Sequence, residues 1–124
     1  MSLPTITAVY RLAQPPKLRA VTLAHDRPNV PLLQLRLAAS SSRLNPHTRE
    51  WETTGRLFID AELLDHGAAE VYPLLSTGSP VAVTGQLVTD EWTTESGERR
   101  SRIKLRARAV HPVVSVGPST EAKS

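Results

Sequence analysis

The segment from Val81 to Val110 constrains the fold more than any other part of the chain. Apolar and polar residues alternate on both sides of a Ser96-Gly97 turn, a pattern that predicts a long β-hairpin. Successive strand residues point to opposite faces, so the second arm has an apolar face and a basic face. The apolar face comprises Ile103, Leu105, Ala107 and Ala109, and the basic face comprises Arg102, Lys104, Arg106 and Arg108. With Trp92 near the tip of the first arm, the hairpin offers a cationic stripe and an aromatic plate, which together suit a nucleic-acid backbone and a base.

The charges of the chain are unevenly distributed, although the formal net charge is only +3. Residues 99–108 hold six cations and no acid. The acids gather elsewhere, for example at Glu50, Glu52, Asp60, Glu62, Asp65 and Glu70. This separation predicts a local anionic partner. The alternative is an edge strand whose charges stay in water and prevent aggregation.

The composition excludes several classes of protein. A length of 124 residues suits one domain with a modest core. The absence of cysteine excludes disulfides and thiolate metal sites. The N-terminus lacks the basic start and apolar core of a secretory signal, and no apolar run approaches the roughly 20 residues that span a bilayer. We therefore expect a soluble cytoplasmic protein with no membrane partner.

The remaining segments predict the order of the secondary-structure elements. Three alternating stretches precede the hairpin, at residues 5–13, 30–39 and 56–63, with a short additional strand candidate at 18–23. The polar residues 40–55 predict a loop or a flexible hairpin. Residues 65–76 are the helix candidate, which Gly67 and Pro73 limit to one or two turns.

This order predicts an all-β fold, a five-stranded Greek-key barrel of the OB type. The short helix falls between strands three and four, as that fold requires. We expect the domain to cover residues 1–112. Residues 113–124 have little reason to fold and are expected to form a short flexible tail.

Catalytic chemistry finds little support in the sequence. The four histidines, His25, His47, His66 and His111, are isolated from one another and match no metal-binding spacing. Asp60 and Glu62 share one strand face and could mimic a catalytic carboxylate pair, but charged strand faces commonly carry such pairs. We therefore expect a protein that is not an enzyme and that uses no metal or other cofactor.

The aromatic residues favour binding. Trp51 lies in the polar segment, Phe58 lies on the polar face of its strand, and Trp92 lies near the hairpin tip, away from the apolar side chains. Aromatic side chains beside cations are typical of proteins that grip single-stranded nucleic acid by stacking its bases. The alternative is that these rings are partly buried, sealing the end of a barrel or contacting another subunit.

Four segments, in order, resemble the bacterial single-stranded DNA-binding proteins, most nearly the actinobacterial type. They are L-P-T-I-T at 3–7, L-Q-L-R-L-A at 33–38, N-P-H-T-R-E-W at 45–51, and a hairpin with V-A-V-T-G-Q-L at 81–87 and W-T-T-E-S-G-E-R-R at 92–100. The resemblance covers residues 3–112. It implies an OB fold, a homotetramer built as a dimer of dimers, and sequence-independent binding of single-stranded DNA in replication, recombination or repair, at the nucleoid.

The resemblance also implies roles for individual residues. Trp92 and Phe58 fall on positions that stack bases in the family, and Trp51 falls on the aromatic of the loop between strands two and three. Arg36, Arg56, Arg99 and Arg100 fall where contacts to DNA are expected. Together with the other basic residues of the loop and the hairpin, the candidate cations are Arg36, Arg43, Arg56, Arg99, Arg100, Arg102, Lys104 and Arg106.

Two departures from the family pattern modify these expectations. Arg43 and Leu64 stand where the family has further aromatics, so we expect weaker base contact and a larger electrostatic share. The sequence ends in S-T-E-A-K-S instead of the acidic, Phe-terminated tip of the family, so we do not expect recruitment of repair proteins by that route. The alternative to a DNA-coating protein is an OB-fold protein–protein module of a replication complex that binds nucleic acid weakly.

Overall fold

The computed structural model describes residues 1–23, 27–65 and 67–114. Within these ranges the chain forms six strands and one short helix that is followed by a 3-10 turn. In chain order they are β1 (Thr5–Leu12), β2 (Lys17–Leu23), β3 (Arg27–Leu44), β4 (Trp51–Leu64), α1 (Ala68–Val71), the 3-10 turn (Tyr72–Leu74), β5 (Pro80–Thr93) and β6 (Arg99–Pro112). His25, His66 and residues 115–124 of the expected tail lie outside the described residues.

Five of the described strands pair into a closed ring, in the order β1-β5-β6-β4-β3 and back to β1. The pairing of β4 with β6 is parallel and covers three residue pairs, from Ala61↔Leu105 to Leu63↔Ala107. In the described residues, β1 pairs with β3 only at Arg11↔Ala38 and Leu12↔Leu37. The additional strand β2 pairs with β3 outside the ring. The predicted all-β fold is therefore confirmed, with the short helix between the third and fourth strands of the ring.

Alternate aliphatic residues of the strands fill the interior of the ring. Every member of this core is at most 9% exposed, and burial of one leucine side chain stabilises a fold by about 1.5–3 kcal/mol. Tyr10 belongs to the core, and burial raises the pKa of its hydroxyl. The strand and helix residues of the core include Leu12, Leu33, Leu35, Leu37, Ile59, Ala61, Leu63, Ala68, Val71, Val81, Val83, Leu105 and Val110.

The helix candidate at residues 65–76 folds as α1 and the 3-10 turn, close to the one or two turns expected. Gly67, with a positive φ of 85°, precedes α1, and Pro73 lies in the 3-10 turn. A left-handed conformation at that position is available to glycine without steric cost. No helix among the described residues is long and apolar enough to cross a membrane.

A β-bulge interrupts the hairpin of β5 and β6. Thr84 pairs with Ala109 and Gly85 pairs with Ala107, so Arg108 is an extra residue on β6. The backbones approach so closely here that a Cβ atom at Gly85 would lie 2.6 Å from a backbone oxygen of β6. Glycine is therefore required at this position, and the alternation of β6 shifts by one residue beyond it.

The bulge corrects the faces predicted for the second arm. Val110 is buried where strict alternation had assigned Ala109, and Arg108 leaves the basic stripe to lie in a groove with Glu70 of α1. Ile103 lies on the predicted face, since it keeps the register of Leu105, but it is 59% exposed. Its segment of β6 lies beyond the three pairs made with β4, so no third strand covers it.

Residues 40–55 form paired strands and a turn. Of the two predicted alternatives, loop or hairpin, the hairpin is found, with β3 and β4 paired as far as Leu44↔Trp51. The turn is held by Asn45, whose side-chain oxygen accepts a hydrogen bond from the backbone N–H of His47 at 2.8 Å. Hydrophobic alternation does not mark these strands in the sequence, because this part of the hairpin projects beyond the core and its side chains are exposed.

Candidate nucleic-acid interface

A groove crosses the outward face of the sheet over β3, β4, β6 and β5. It faces away from the core because its side chains alternate with the buried residues of the same strands. One wall is formed by Gln14 and Pro15 of the loop between β1 and β2 and by Lys17 at the start of β2. The charged and aromatic residues that line the groove are Lys17, Arg36, Asp60, Glu62, Asp90, Trp92, Arg102 and Lys104.

Phe58 and Trp92 lie on this outward face, as the sequence predicted. Phe58 stands opposite Ala38 of β3 and is 54% exposed, whereas Trp92 stands opposite Arg100 of β6 and is 40% exposed. Directly paired residues project to the same side of a sheet, so both rings share a face with Arg36 and Arg102. Neither ring belongs to the buried core.

Trp51 reaches the same face because of a second bulge. Trp51 and Phe58 are seven positions apart, so strict alternation would place them on opposite faces of β4. The register with β3 shifts by one residue at Thr54, which has no partner in the strand ladder. Because Thr54 is an extra residue, Trp51 projects to the same face of the sheet as Phe58. Trp51 stands opposite Leu44, and its side chain is 71% exposed.

Asp60 lies at the centre of the groove between two arginines. One oxygen, Oδ1, accepts a hydrogen bond from Arg36 Nη1 at 3.0 Å, and the other, Oδ2, accepts one from Arg102 Nη1. The guanidinium carbon of Arg36 lies 5.6 Å from the centroid of the Phe58 ring, and that of Arg102 lies 5.8 Å from the centroid of the Trp92 ring. Both distances suit a cation–π contact. The five side chains therefore form one continuous row.

Lys104 is also paired with acids of the groove. Its Nζ lies 2.9 Å from Glu62 Oε1 and 3.7 Å from Asp90 Oδ2. Gln34 donates to the other oxygen of Glu62 at 3.4 Å. Arg102 and Lys104 of the basic stripe on β6 thus form ion pairs with carboxylates of β4 and β5. The charges along β6 alone did not reveal these ion pairs. The available signal was the outward position of Asp60 and Glu62 beside Phe58 on β4.

Three more of the predicted cations lie on the outward face. Arg56 borders a second groove with Phe58 and Val9. Arg100 stands opposite Trp92, and its guanidinium lies 2.9 Å from Glu98. Arg106 is exposed next to Glu62 in the strand register. Within residues 1–23, 27–65 and 67–114, neither Arg56 nor Arg106 makes an ion pair.

Arg43 and Arg99 are not brought together with these residues. Arg43 of β3 stands opposite Glu52 of β4, and the next pair along the strands is Leu44 with Trp51. The Nε of Arg43 lies 3.8 Å from the Glu52 carboxylate. Arg99 stands opposite Thr93, one position out of phase with Trp92. Since neighbouring strand positions point to opposite sides, both arginines lie on the reverse faces of the projecting hairpins.

The arrangement offers exposed ring faces and guanidinium groups along one surface, which are the groups that stack bases and contact phosphates. The part of the chain that the structure describes contains no cluster of three His, Asp or Glu residues placed to hold a metal ion. A closed ring of five strands in this order, with aromatic and basic side chains on its outward sheet face, defines the OB-fold class.

The chain belongs to the single-strand binding protein family, whose model matches residues 6–113. The resemblance inferred from four sequence motifs is therefore confirmed. A single-stranded DNA-binding protein of Corynebacterium glutamicum is 31% identical over 107 residues, which make up 86% of this chain and 45% of the relative. One of Paenarthrobacter aurescens is 27% identical over 108 residues, 87% of this chain and 60% of the relative.

The chain thus spans about half the length of these curated relatives. A solved structure of similar size also matches. The small single-stranded DNA-binding protein from Streptomyces coelicolor is similar with a TM-score of 0.71 and 25% sequence identity. The match covers 92% of this chain and 97% of that one.

Proposed function

We propose that the protein binds single-stranded DNA without sequence preference and protects it during replication, recombination or repair. The observation that carries the proposal is the row Phe58–Arg36–Asp60–Arg102–Trp92, which places two exposed aromatic rings and two guanidiniums side by side on one face of the sheet. Membership of the single-strand binding protein family supports it, as do the names of the relatives. Binding is the whole activity, and no catalytic step is required.

The bases stack on Trp51, Phe58 and Trp92 in this proposal. Stacking on an aromatic side chain contributes about 1–3 kcal/mol per base and tolerates any sequence, since every base has a π face. The exposure of all three rings on the same side of the sheet supports this role. Trp51 extends the row of plates along β4 beyond Phe58.

The phosphates contact the cations near these rings. Arg36, Arg56, Arg100, Arg102, Lys104 and Arg106 share the outward face with the aromatic plates. Arg43 and Arg99, on the reverse faces of the two hairpins, contact a strand that wraps around the hairpin ends. Each phosphate that is neutralised makes the affinity more dependent on salt, because the strand releases condensed counterions.

The binding protein is a homotetramer, a dimer of dimers, in this proposal. Residues 5–9 of β1 pair with β5 on one side, and within the described residues they have no strand partner on the other. Val9 on this strand is 59% exposed. An unpaired edge with an exposed apolar residue favours pairing with another chain, so β1 is where a second copy would add its own strand. Such an assembly would act at the nucleoid, where single-stranded DNA is exposed.

A fluorescence titration tests the proposed function. Trp51 and Trp92 are the only tryptophans, so stacking of an oligothymidine should quench the intrinsic emission stoichiometrically. The logarithm of the binding constant should fall with the logarithm of the salt concentration by about 0.7 per phosphate neutralised. Absence of quenching at low salt would favour the protein–protein module instead, and a matched oligoribonucleotide would show whether DNA is preferred over RNA.

A further inference from the structure

We propose that Asp60 is an internal competitor for DNA phosphates. In the protein without DNA, its carboxylate binds the two guanidiniums that would otherwise contact the backbone of the strand. Binding then requires Arg36 and Arg102 to exchange Asp60 for phosphate. Asp60 thereby sets both the affinity and the salt dependence of the groove, an inference that rests on the function proposed above.

The geometry of the carboxylate supports this role. Each oxygen of Asp60 accepts from a different arginine, Oδ1 from Arg36 at 3.0 Å and Oδ2 from Arg102. A phosphate group offers the same kind of anionic oxygens to guanidinium groups. The two ion pairs are also accessible from solvent, with the Asp60 side chain 34% exposed. A phosphate can therefore replace the carboxylate without opening the core.

The aromatic rings take part in the same competition. The guanidinium of Arg36 lies over the ring of Phe58, and that of Arg102 lies over the ring of Trp92, at 5.6 and 5.8 Å from the centroids. A base that stacks on the side of either ring where the guanidinium lies must displace that guanidinium. Asp60 holds both guanidiniums at these positions, so its pairing competes both with phosphate contacts and with stacking on those ring faces.

The neighbouring acids strengthen the effect of Asp60. Glu62 and Asp90 pair with Lys104 in the same groove, at 2.9 and 3.7 Å. Arg36, Arg102 and Lys104 are therefore already paired with carboxylates when a DNA strand approaches the groove. Partly exposed ion pairs of this kind contribute little to folding stability. Their larger effect is on the partner that competes for the same cations.

The substitution Asp60→Asn tests the inference, because asparagine keeps the shape of the side chain and removes the charge. We expect the affinity for an oligothymidine at low salt to rise about two- to thirty-fold, the range spanned by release of two exposed ion pairs. The salt slope should steepen by about 0.7 for each released arginine that gains a phosphate. Asp60→Ala should change both quantities in the same direction.

The matched control is Asp65→Asn. Asp65 also binds one arginine, Arg27, at 2.7 Å, but it does not line the groove. The control changes the net charge equally and should alter the affinity less than two-fold. Thermal melting of all variants checks that each one folds.

An affinity of Asp60→Asn equal to or below that of the unsubstituted protein would overturn the inference, because Asp60 would then position the arginines for DNA. An equal rise in Asp65→Asn would overturn it too, since net charge would explain the effect. If the unsubstituted protein binds no DNA, the proposed function fails and the inference fails with it. If the unsubstituted protein binds DNA but Asp60→Asn binds it no more tightly, the inference about Asp60 is refuted and the proposed function stands.

Discussion

Trp92→Ala is the most direct test of the aromatic row. Trp92 lies on the part of β5 that projects beyond the buried core, 40% exposed and opposite Arg100. Its removal leaves no core cavity, so we expect the fold to remain stable. The substitution removes the contact with Arg102, and an exposed cation–π contact contributes about 0.5–1 kcal/mol.

The loss of DNA affinity should be larger than the loss of stability. One stacking contact contributes about 1–3 kcal/mol, which corresponds to a loss of about five- to 150-fold in the binding constant. The loss should be similar for oligothymidine, oligocytidine and mixed sequences, because a ring face does not read base edges. The salt slope should stay unchanged, since no cation is removed.

Fluorescence anisotropy of a labelled oligonucleotide measures these quantities without relying on tryptophan emission. Leu57→Ala is the matched control, because Leu57 is an exposed apolar residue on the face of β4 opposite to Phe58 and lines none of the grooves beside the aromatic row. It should bind DNA like the unsubstituted protein. Unchanged affinity in Trp92→Ala would refute the stacking role, and an equal loss in Leu57→Ala would show that the strand follows the other face.

Three further predictions concern the bulges and the cations. Gly85→Ala should lower the free energy of unfolding by about 1–3 kcal/mol, because the new Cβ would lie 2.6 Å from a backbone oxygen. Gly55→Ala is the control and should cost less, because its Cβ would meet only the Ser41 hydroxyl at 3.2 Å. Equal melting temperatures of the two variants would refute the argument. Deletion of Thr54 should turn Trp51 to the reverse face and reduce DNA affinity as much as Trp51→Ala does, and full affinity in the deletion would contradict the role of the bulge. Arg56→Ala should reduce the dependence of the logarithm of the binding constant on the logarithm of the salt concentration by about 0.7. Arg27→Ala removes a cation that is paired with Asp65 and should leave this slope unchanged. Equal slopes in the two variants would exclude a phosphate contact at Arg56.

Alternation along single strands predicted the outward positions of Phe58, Trp92 and Arg36, because burial of one face imposes a period of two on a strand. Alternation does not continue across a bulge, which inserts an extra residue into one strand. The bulge at Thr54 puts Trp51 on the face of Phe58, and the one beside Gly85 exchanges Ala109 for Val110 in the core. A bulge is fixed by how two strands pair, and the alternation of either strand alone does not report it.

The acids of the groove were missed for a related reason. The basic stripe was read along β6, where residues 99–108 contain no acid. Asp60 reaches Arg102 across 42 positions of sequence, through the parallel pairing of β4 with β6. That pairing depends on the closure of the whole ring, so the ion pairs that define the groove are a tertiary property.

The short parallel seam between β4 and β6 has a consequence for how the two stacking plates move. Phe58 belongs to the hairpin of β3 and β4, and Trp92 belongs to the hairpin of β5 and β6. Each hairpin is joined along thirteen residue pairs, but only three pairs connect β4 with β6. The spacing between Phe58 and Trp92 therefore depends on this short seam and on the ion pairs of Asp60 with Arg102 and Glu62 with Lys104, and not on the pairing within either hairpin. We expect a bound strand to change this spacing more readily than the spacing of side chains within one hairpin, so that the two rings can follow the uneven rise of an unstacked strand while both hairpins stay intact.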